Sequence, residues 1–383
     1  MSSRLIVNSI RHTGASGDAV TLANDGTCTA NITNRSNRNL IINGKADVFQ
    51  RSLSGSEVTC NSGSNSYCMD RWYTRGESSL GVFKLIQQDI SSDGQGAPHA
   101  LKVSVTTNVT PGSGDVYKIA QRIEGKNIGH LSYGTSNAKT ITLSFLVKSS
   151  VTGTHSGSLM NSAQNRSYPF TYTISSADTW EQKSITIPGD TGGTWVINTG
   201  IGLELNFDMG SGSGKRGSAG SWIGSRAEGA TGAVQVISSA NATWFITKVQ
   251  IEVGSKATDF EHRSYGDELA KCQRYYYVLA DGSAAADEYV GNGRAWSSTQ
   301  PELTVRWSVV MRSAPSFVHP TGTNYYQWRN GSNEAYLDDL SFTNGTTRSA
   351  IIYKTGTSGL TAGGAYRVQL GNASAYLHFN AEL

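Results

Sequence analysis

Apolar and polar residues alternate in short runs along most of this chain, with no helical period between the runs. Leu101, Val103 and Val105 alternate with Lys102, Ser104 and Thr106, and Ile141, Leu143, Phe145 and Val147 alternate with Thr142, Ser144 and Leu146. Ile185 with Ile187, then Ile201, Leu203, Leu205 and Phe207, then Phe245, Thr247, Val249, Ile251 and Val253 continue the series. A period of two marks strands with one face buried, and turn clusters such as 91–96 and 189–193 separate them, so this region predicts an antiparallel β-sandwich. Strand-like runs return at Leu303, Val305, Trp307 and Val309, at 351–353, at Tyr366, Val368 and Leu370, and at 376–379. The exception is 267–276, a short helix with Asp267 and Glu268 in the first turn, where the macrodipole favours them, and Leu269, Cys272 and Tyr276 on one face. Residues 1–39 hold only short apolar groups: Leu5-Ile6-Val7, Val20 and Leu22, and 28–32 ending at Ile32. These cannot bury a core alone, whereas three copies wrapped about an axis would give each strand apolar partners. A frayed leader is the other reading of the segment.

Composition supports many short strands. The chain has 383 residues, enough for two or three domains, and is 37% hydrophobic and 16% charged, with 43 Gly against 7 Pro. A net charge of +3, with 32 Lys and Arg scattered along the sequence, is too small a footprint for nucleic acid. The first residues contain no apolar run of signal-peptide length, and no segment approaches a membrane span, so the chain is expected to be made in a cytoplasm and kept there until something else carries it out. Cys28, Cys60, Cys68 and Cys272 form no metal signature, and no cofactor is expected. Cys60 and Cys68 flank a turn-rich stretch and either cross-link a hairpin or pack as free thiols. Gly212, Gly214 and Gly217 match a dinucleotide fingerprint formally, but no helix follows, and a P-loop fails because Arg216 stands after Lys215. A long exposed loop is expected there.

The stretch 249–266, running into 267–277, resembles the joint between a β-sandwich and a distal domain in tail-fibre and related virion proteins of tailed bacteriophages. Leu40-Ile41-Ile42-Asn43-Gly44, Asp47-Val48-Phe49-Gln50-Arg51 and Met69-Asp70-Arg71-Trp72-Tyr73 are similar to the opening of the carbohydrate-binding-module-like jelly rolls of many phage tail proteins. Val310-Met311-Arg312-Ser313-Ala314-Pro315 resembles the domain that follows the joint. Together the likeness covers most of 39–320 and is poor in the last sixty residues. It implies an all-β chain: a virion-anchor segment at 1–39 using Leu5, Ile6, Val7, Val20, Leu22 and Ile32, and an antiparallel jelly roll at 40–265 opening on a strand at 40–42, with Trp72 in its core. A linking helix and a smaller β-rich distal domain would fill 266–383. It also implies a homotrimer that meets other virion tail or capsid proteins through its N-terminus and a host surface glycan at its far end. A virion component made in the host cytoplasm and released by lysis fits the start of the chain, and an ordinary cytoplasmic protein fits it equally.

Enzymatic chemistry is thinly supplied. The seven histidines stand apart, with no H-E-x-x-H pair and no nucleophile elbow, and His262 reads as structural. Asp338 and Asp339 are adjacent on a strand and so point to opposite faces, which keeps them from flanking one glycosidic bond. Glycan recognition needs flat aromatic faces and short polar groups on shallow surfaces. The distal third offers Tyr325, Tyr326, Trp328 and Arg329, with Trp296 beside Arg294, and Tyr336 near Asp338. If 325–330 is a strand, Tyr326 and Trp328 share a face and fill the core instead. Trp195 and Trp222 are a second candidate pair, with packing the competing role. The expectation is a non-enzymatic virion fibre or spike that binds host glycans. A structural decoration fibre and a polysaccharide depolymerase are the alternatives.

Overall fold

Two six-stranded antiparallel sheets stack through the side chains that the period-two pattern turns inward. The computed structural model describes residues 7–11, 13–14, 20–22, 28–30, 36–51, 57–60, 63, 65–77, 80–282, 288–331 and 333–383. The first sheet runs, edge to edge, Glu181–Ile187, Ile141–Ser149, Thr243–Val253, His99–Thr107, Val82–Asp89 and Val58–Thr59. The second runs Ser167–Ile174, Gly153–Met160, Ile201–Asp208, Tyr117–Glu124, Trp72–Gly76 and Ser66–Met69. The chain passes repeatedly from one sheet to the other, as a jelly roll requires. Trp72, Phe83, Phe145, Phe207 and Trp244 fill the space between the sheets, and Phe145 meets Phe207 edge-on at 5.2 Å. The expected all-β, antiparallel jelly roll is therefore the fold.

Several local expectations need correction. Leu40, Ile41 and Ile42 are buried but form no strand. Their backbone is satisfied largely by side chains: Gln121 accepts from Ile42 N (2.9 Å) and donates to Ile42 O (2.8 Å), Asn39 Oδ1 accepts from Ile41 N (2.9 Å), and Arg263 donates to Ile41 O (3.0 Å). The alternation read through Phe245 and Thr247 breaks at a bulge opposite Ser144 and Leu146. Lys248 sits there at φ 52°, so Trp244 and Ile246 face the core before the break and Val249 and Ile251 after it. The glycine-rich stretch is not a long exposed loop, because Met209 to Gly212 are buried and only Ser213 and Gly214 are exposed. A Cβ on Gly212 would lie 1.8 Å from Gly112 O, so glycine is needed for that close approach. Cys60 and Cys68 are free and buried, with burial pushing their thiols up to about 11 and about 12.

The helix begins earlier and ends earlier than expected, at Tyr265–Gln273, capped by Ser264, whose Oγ accepts from Asp267 N at 3.2 Å. Its buried Cys272 and half-buried Leu269 pack with Ile42, Val48 and Tyr275, while Tyr276 already belongs to the next strand. Beyond it, Tyr276–Ala280, Leu377–Asn380 and Ser316–Val318 form a three-stranded sheet. A seven-stranded sheet follows in the order Asn333–Leu337, Tyr326–Asn330, Ala365–Leu370, Tyr289–Ser297, Gln300–Arg306, Ser349–Tyr353 and Ser341–Thr343. Near the N-terminus, Ser9–Ile10, Val20–Leu22 and Cys28–Ala30 pair antiparallel. Val7 and Val20 are half-buried, while Ile10 and Leu22 stay exposed; the candidates Leu5, Ile6 and Ile32 lie outside the described residues.

Candidate functional site

Three broad sheet faces point away from a core, and they differ in what covers them. The outward face of the second sandwich sheet is closed by the chain itself. Leu203, Leu205 and Phe207 point into the core, so Glu204, Asn206 and Asp208 point out, yet these three are buried. The connection between Ile201–Asp208 and Thr243–Val253 lies over them: Arg216 pairs with Asp208 (2.8 Å), and Glu228 reaches Lys118 Nζ (3.0 Å). Lys118 also donates to Glu204 (2.7 Å), and Arg122 takes the other Glu204 oxygen (2.8 Å). The outward face of the first sheet carries Phe245 and Trp180, but Lys148 lies over both rings at 4.7 and 4.9 Å. Asp93 in turn accepts from Trp180 Nε1 (2.8 Å) and from Lys148 (3.1 Å).

The distal seven-stranded sheet keeps an open face. Its inner residues, among them Tyr326, Trp328, Leu337, Val368 and Leu303, form a core, so their neighbours in each strand face outward. Strand register lines these up in rows. Tyr336, Gln327, Gln369 and Tyr289 form one row across four strands, and Glu334, Arg329, Arg367 and Asn292 the next. Arg294, on the same strand as Asn292, is the register partner of Glu302 on the next. Tyr336, Tyr289 and Trp296 are 50%, 54% and 62% exposed. Gln327 and Gln369 are buried between the two tyrosines, with Gln369 Nε2 donating to Gln327 Oε1 at 2.7 Å, and they make a fixed floor. Glu334 accepts from Tyr336 OH (2.8 Å) and pairs with Arg329 Nε (2.6 Å). The Arg294 guanidinium stands 4.8 Å from the Trp296 ring centre and pairs with Glu302 (2.6 Å). Beside the second row an open groove is lined by Asn292, Arg329, Gly331, Ala365 and Arg367. It exists because Ala365 and Gly331 carry almost no side chain, and Gly331 takes φ 58° in the tight turn between its two strands.

The sequence candidates divide across this sheet. Arg329, Tyr336 and Trp296 share the open face. Tyr326 and Trp328 do not: they are 1% and 0% exposed, because 326–330 is a strand whose even positions pack inward with Val368. Trp328 crosses so close to Gly293 that a Cβ there would come within 2.8 Å of Nε1. Tyr325 is half-buried at the strand's start and meets Tyr326 edge-on. Asp338 accepts from Asn324 N at 2.8 Å and holds a turn. Asp339 goes elsewhere, to His319 (3.0 Å) and Lys354 (3.2 Å). Trp195 and Trp222 pack edge-on against each other and against Tyr133, as core rather than as a surface. His262 is exposed at the edge of Phe260. Tyr289, Asn292 and Arg367 are missing from the sequence candidates. Arg367 was visible as the polar mate between Tyr366 and Val368.

No protein-family model and no curated protein sequence matches the chain. Among solved structures it is similar to the enzymatically active domain of tailspike protein 4 of bacteriophage CBA120, at 12% identity and a TM-score of 0.28. That match covers 57% of this chain but only 22% of the tailspike chain. The family 11 carbohydrate-binding module of a Clostridium thermocellum cellulosomal cellulase matches at 10% identity and a TM-score of 0.25, covering 53% of this chain and 98% of the module. A tandem N-terminal CBM22 domain of Paenibacillus barcinonensis Xyn10C matches at 11% identity and a TM-score of 0.24, covering 87% of this chain and all of that one. At such TM-scores these likenesses carry no argument about activity.

Proposed function

We propose that the chain is a surface component of a tailed-bacteriophage virion, a tail fibre or spike that attaches to the host by binding surface glycans, and that it works by adhesion without catalysis. The observation that carries this reading is the open distal face, where Tyr289, Tyr336 and Trp296 are each at least half exposed beside hydrogen-bonding Asn292 and Arg329. Aromatic rings on a rigid, shallow sheet meet the apolar side of a sugar ring, and the flanking polar groups meet its hydroxyls. The resemblance of 249–277 to the joint of virion fibres supports an arrangement with the adhesive face at the end distant from an N-terminal anchor. A homotrimer built through the N-terminal segment would hold three weak sites together and raise their joint avidity.

The test combines binding and catalysis on one preparation. Purified protein is incubated with host envelope glycans, and both retention and release of reducing ends are measured. Retention without release is expected, and it should be lost in Tyr336→Ala and Trp296→Ala variants of unchanged melting temperature. Release of reducing ends would make the chain a depolymerase, and absence of retention would leave a structural fibre. Imaging of the particle with this polypeptide located on it tests the virion assignment separately.

A further inference from the structure

We propose that the distal face selects glycans bearing a carboxylate, with Arg367 as the group that takes it; this rests on the glycan-binding reading above. Arg329 and Arg367 are direct register partners on neighbouring strands, about 5 Å apart along the pairing direction, and both project from the open face. Like charges set opposite each other in a sheet repel, so an anion placed against them is favoured. Glu334 compensates Arg329 only. One of its oxygens is on Arg329 Nε, and the other accepts from Tyr336 OH (2.8 Å) and Gln327 Nε2 (3.3 Å). Glu302 is likewise committed to Arg294. Arg367 is exposed and has no acidic partner among the described residues.

With Arg306 on the strand of Glu302, the face carries four guanidinium groups against two carboxylates; of the two arginines without a carboxylate among the described residues, Arg367 is the one that borders the groove that Ala365 and Gly331 leave open. A guanidinium offers a planar pair of donors that fits a carboxylate in bidentate fashion. Tyr336 and Trp296 flank the same rows, so a sugar ring can lie on an aromatic face while its carboxylate reaches Arg367. A neutral glycan would leave Arg367 without a counter-charge.

The experiment uses the full chain against matched polymers: polygalacturonate, alginate, hyaluronate and polysialate, each also in carboxyl-reduced form. We expect retention of at least one acidic polymer, its loss on carboxyl reduction, and weakening as salt rises from about 0.05 to about 0.5 M. Arg367→Gln should loosen binding by about tenfold. Arg306→Gln, which removes the same charge from another exposed position of the sheet, should leave binding unchanged, with melting temperatures confirming that both variants fold. If reduced polymers are retained as well as acidic ones, or if the two variants behave alike, the carboxylate preference is overturned while glycan binding stands. If no polymer of either kind is retained, both readings fall.

Discussion

At the scale of single residues, the most demanding placement is Lys118, whose side chain is 1% exposed between Glu204 and Glu228. Burial opposes its charge, but the two carboxylates outweigh that and raise its pKa. Burial alone would likewise raise Glu204; Lys118 and Arg122 reverse the sign and hold it down at about 2. A folded-state pKa below the ordinary 4.5 means that Glu204 contributes stability above pH 4.5, which is lost as the pH falls toward 2. Removing Lys118 leaves two buried carboxylates with one arginine each, Glu204 with Arg122 and Glu228 with Arg226, and a buried network short of one positive charge. Lys118→Met should therefore cost about 3–5 kcal/mol in chemical denaturation at neutral pH. The deficit should narrow as the pH is lowered and Glu204, no longer held by Lys118, takes up its proton. A loss below about 1 kcal/mol, flat with pH, would mean that the network is hydrated rather than closed.

Among elements, the strand Thr243–Val253 sets the geometry of the sandwich, since it pairs with two neighbours and changes phase in mid-course. The change depends on Lys248 at φ 52°, a conformation that glycine adopts freely and β-branched residues resist. Lys248→Gly should leave stability unchanged or raise it by up to about 1 kcal/mol, while Lys248→Val should lower it by about 1–3 kcal/mol. Equal melting temperatures for the two variants would show that the strand can realign without that kink. The phase change also marks how far the sequence can be read. Uninterrupted alternation located this strand, and those at 99–107, 141–149 and 201–208, because one buried face imposes a period of two. It missed the bulge, since an extra residue inverts the pattern without removing it. The apolar triplet Leu40-Ile41-Ile42 looked like a strand because burial was legible, but of the side chains that satisfy its backbone only Asn39 is adjacent, while Gln121 and Arg263 are distant in sequence. The distal face was half legible for the same reason. Alternation alone put Tyr326 and Trp328 on a common side, whereas the meeting of Arg329 with Arg367 depends on register between separate strands, which neither strand's own pattern encodes.

On the scale of the whole molecule, the seven-stranded sheet reaches the sandwich through a segment tied down by polar contacts. Arg274 and Tyr275 OH both reach Glu124 of the sandwich, at 2.7 and 2.8 Å. Glu382 lies between Arg51 and the buried Arg71. Arg312 is the hub: its guanidinium donates to Thr199 O of the sandwich (2.9 Å) and to Ala381 O (2.6 Å) and Glu382 O (2.8 Å) of the final strand's extension. Polar ties of this kind fix orientation more than they add affinity between domains, because most of their energy is offset by lost hydration. Arg312→Ala leaves three carbonyls without that donor and should loosen the mount while both cores stay intact. Calorimetry of the wild type should then show one unfolding transition and the variant two, with an increase in radius of gyration by small-angle scattering. Monomeric affinity for a retained glycan should stay the same in the variant, since the open face lies on the far sheet. Avidity of a multivalent form should drop, because a looser mount spreads the linked sites over more positions and lowers their effective concentration. A single transition at an unchanged temperature would show that apolar packing around Cys272 and Tyr275 is sufficient to hold the two domains together, and that Arg312 only orients the chain's last residues.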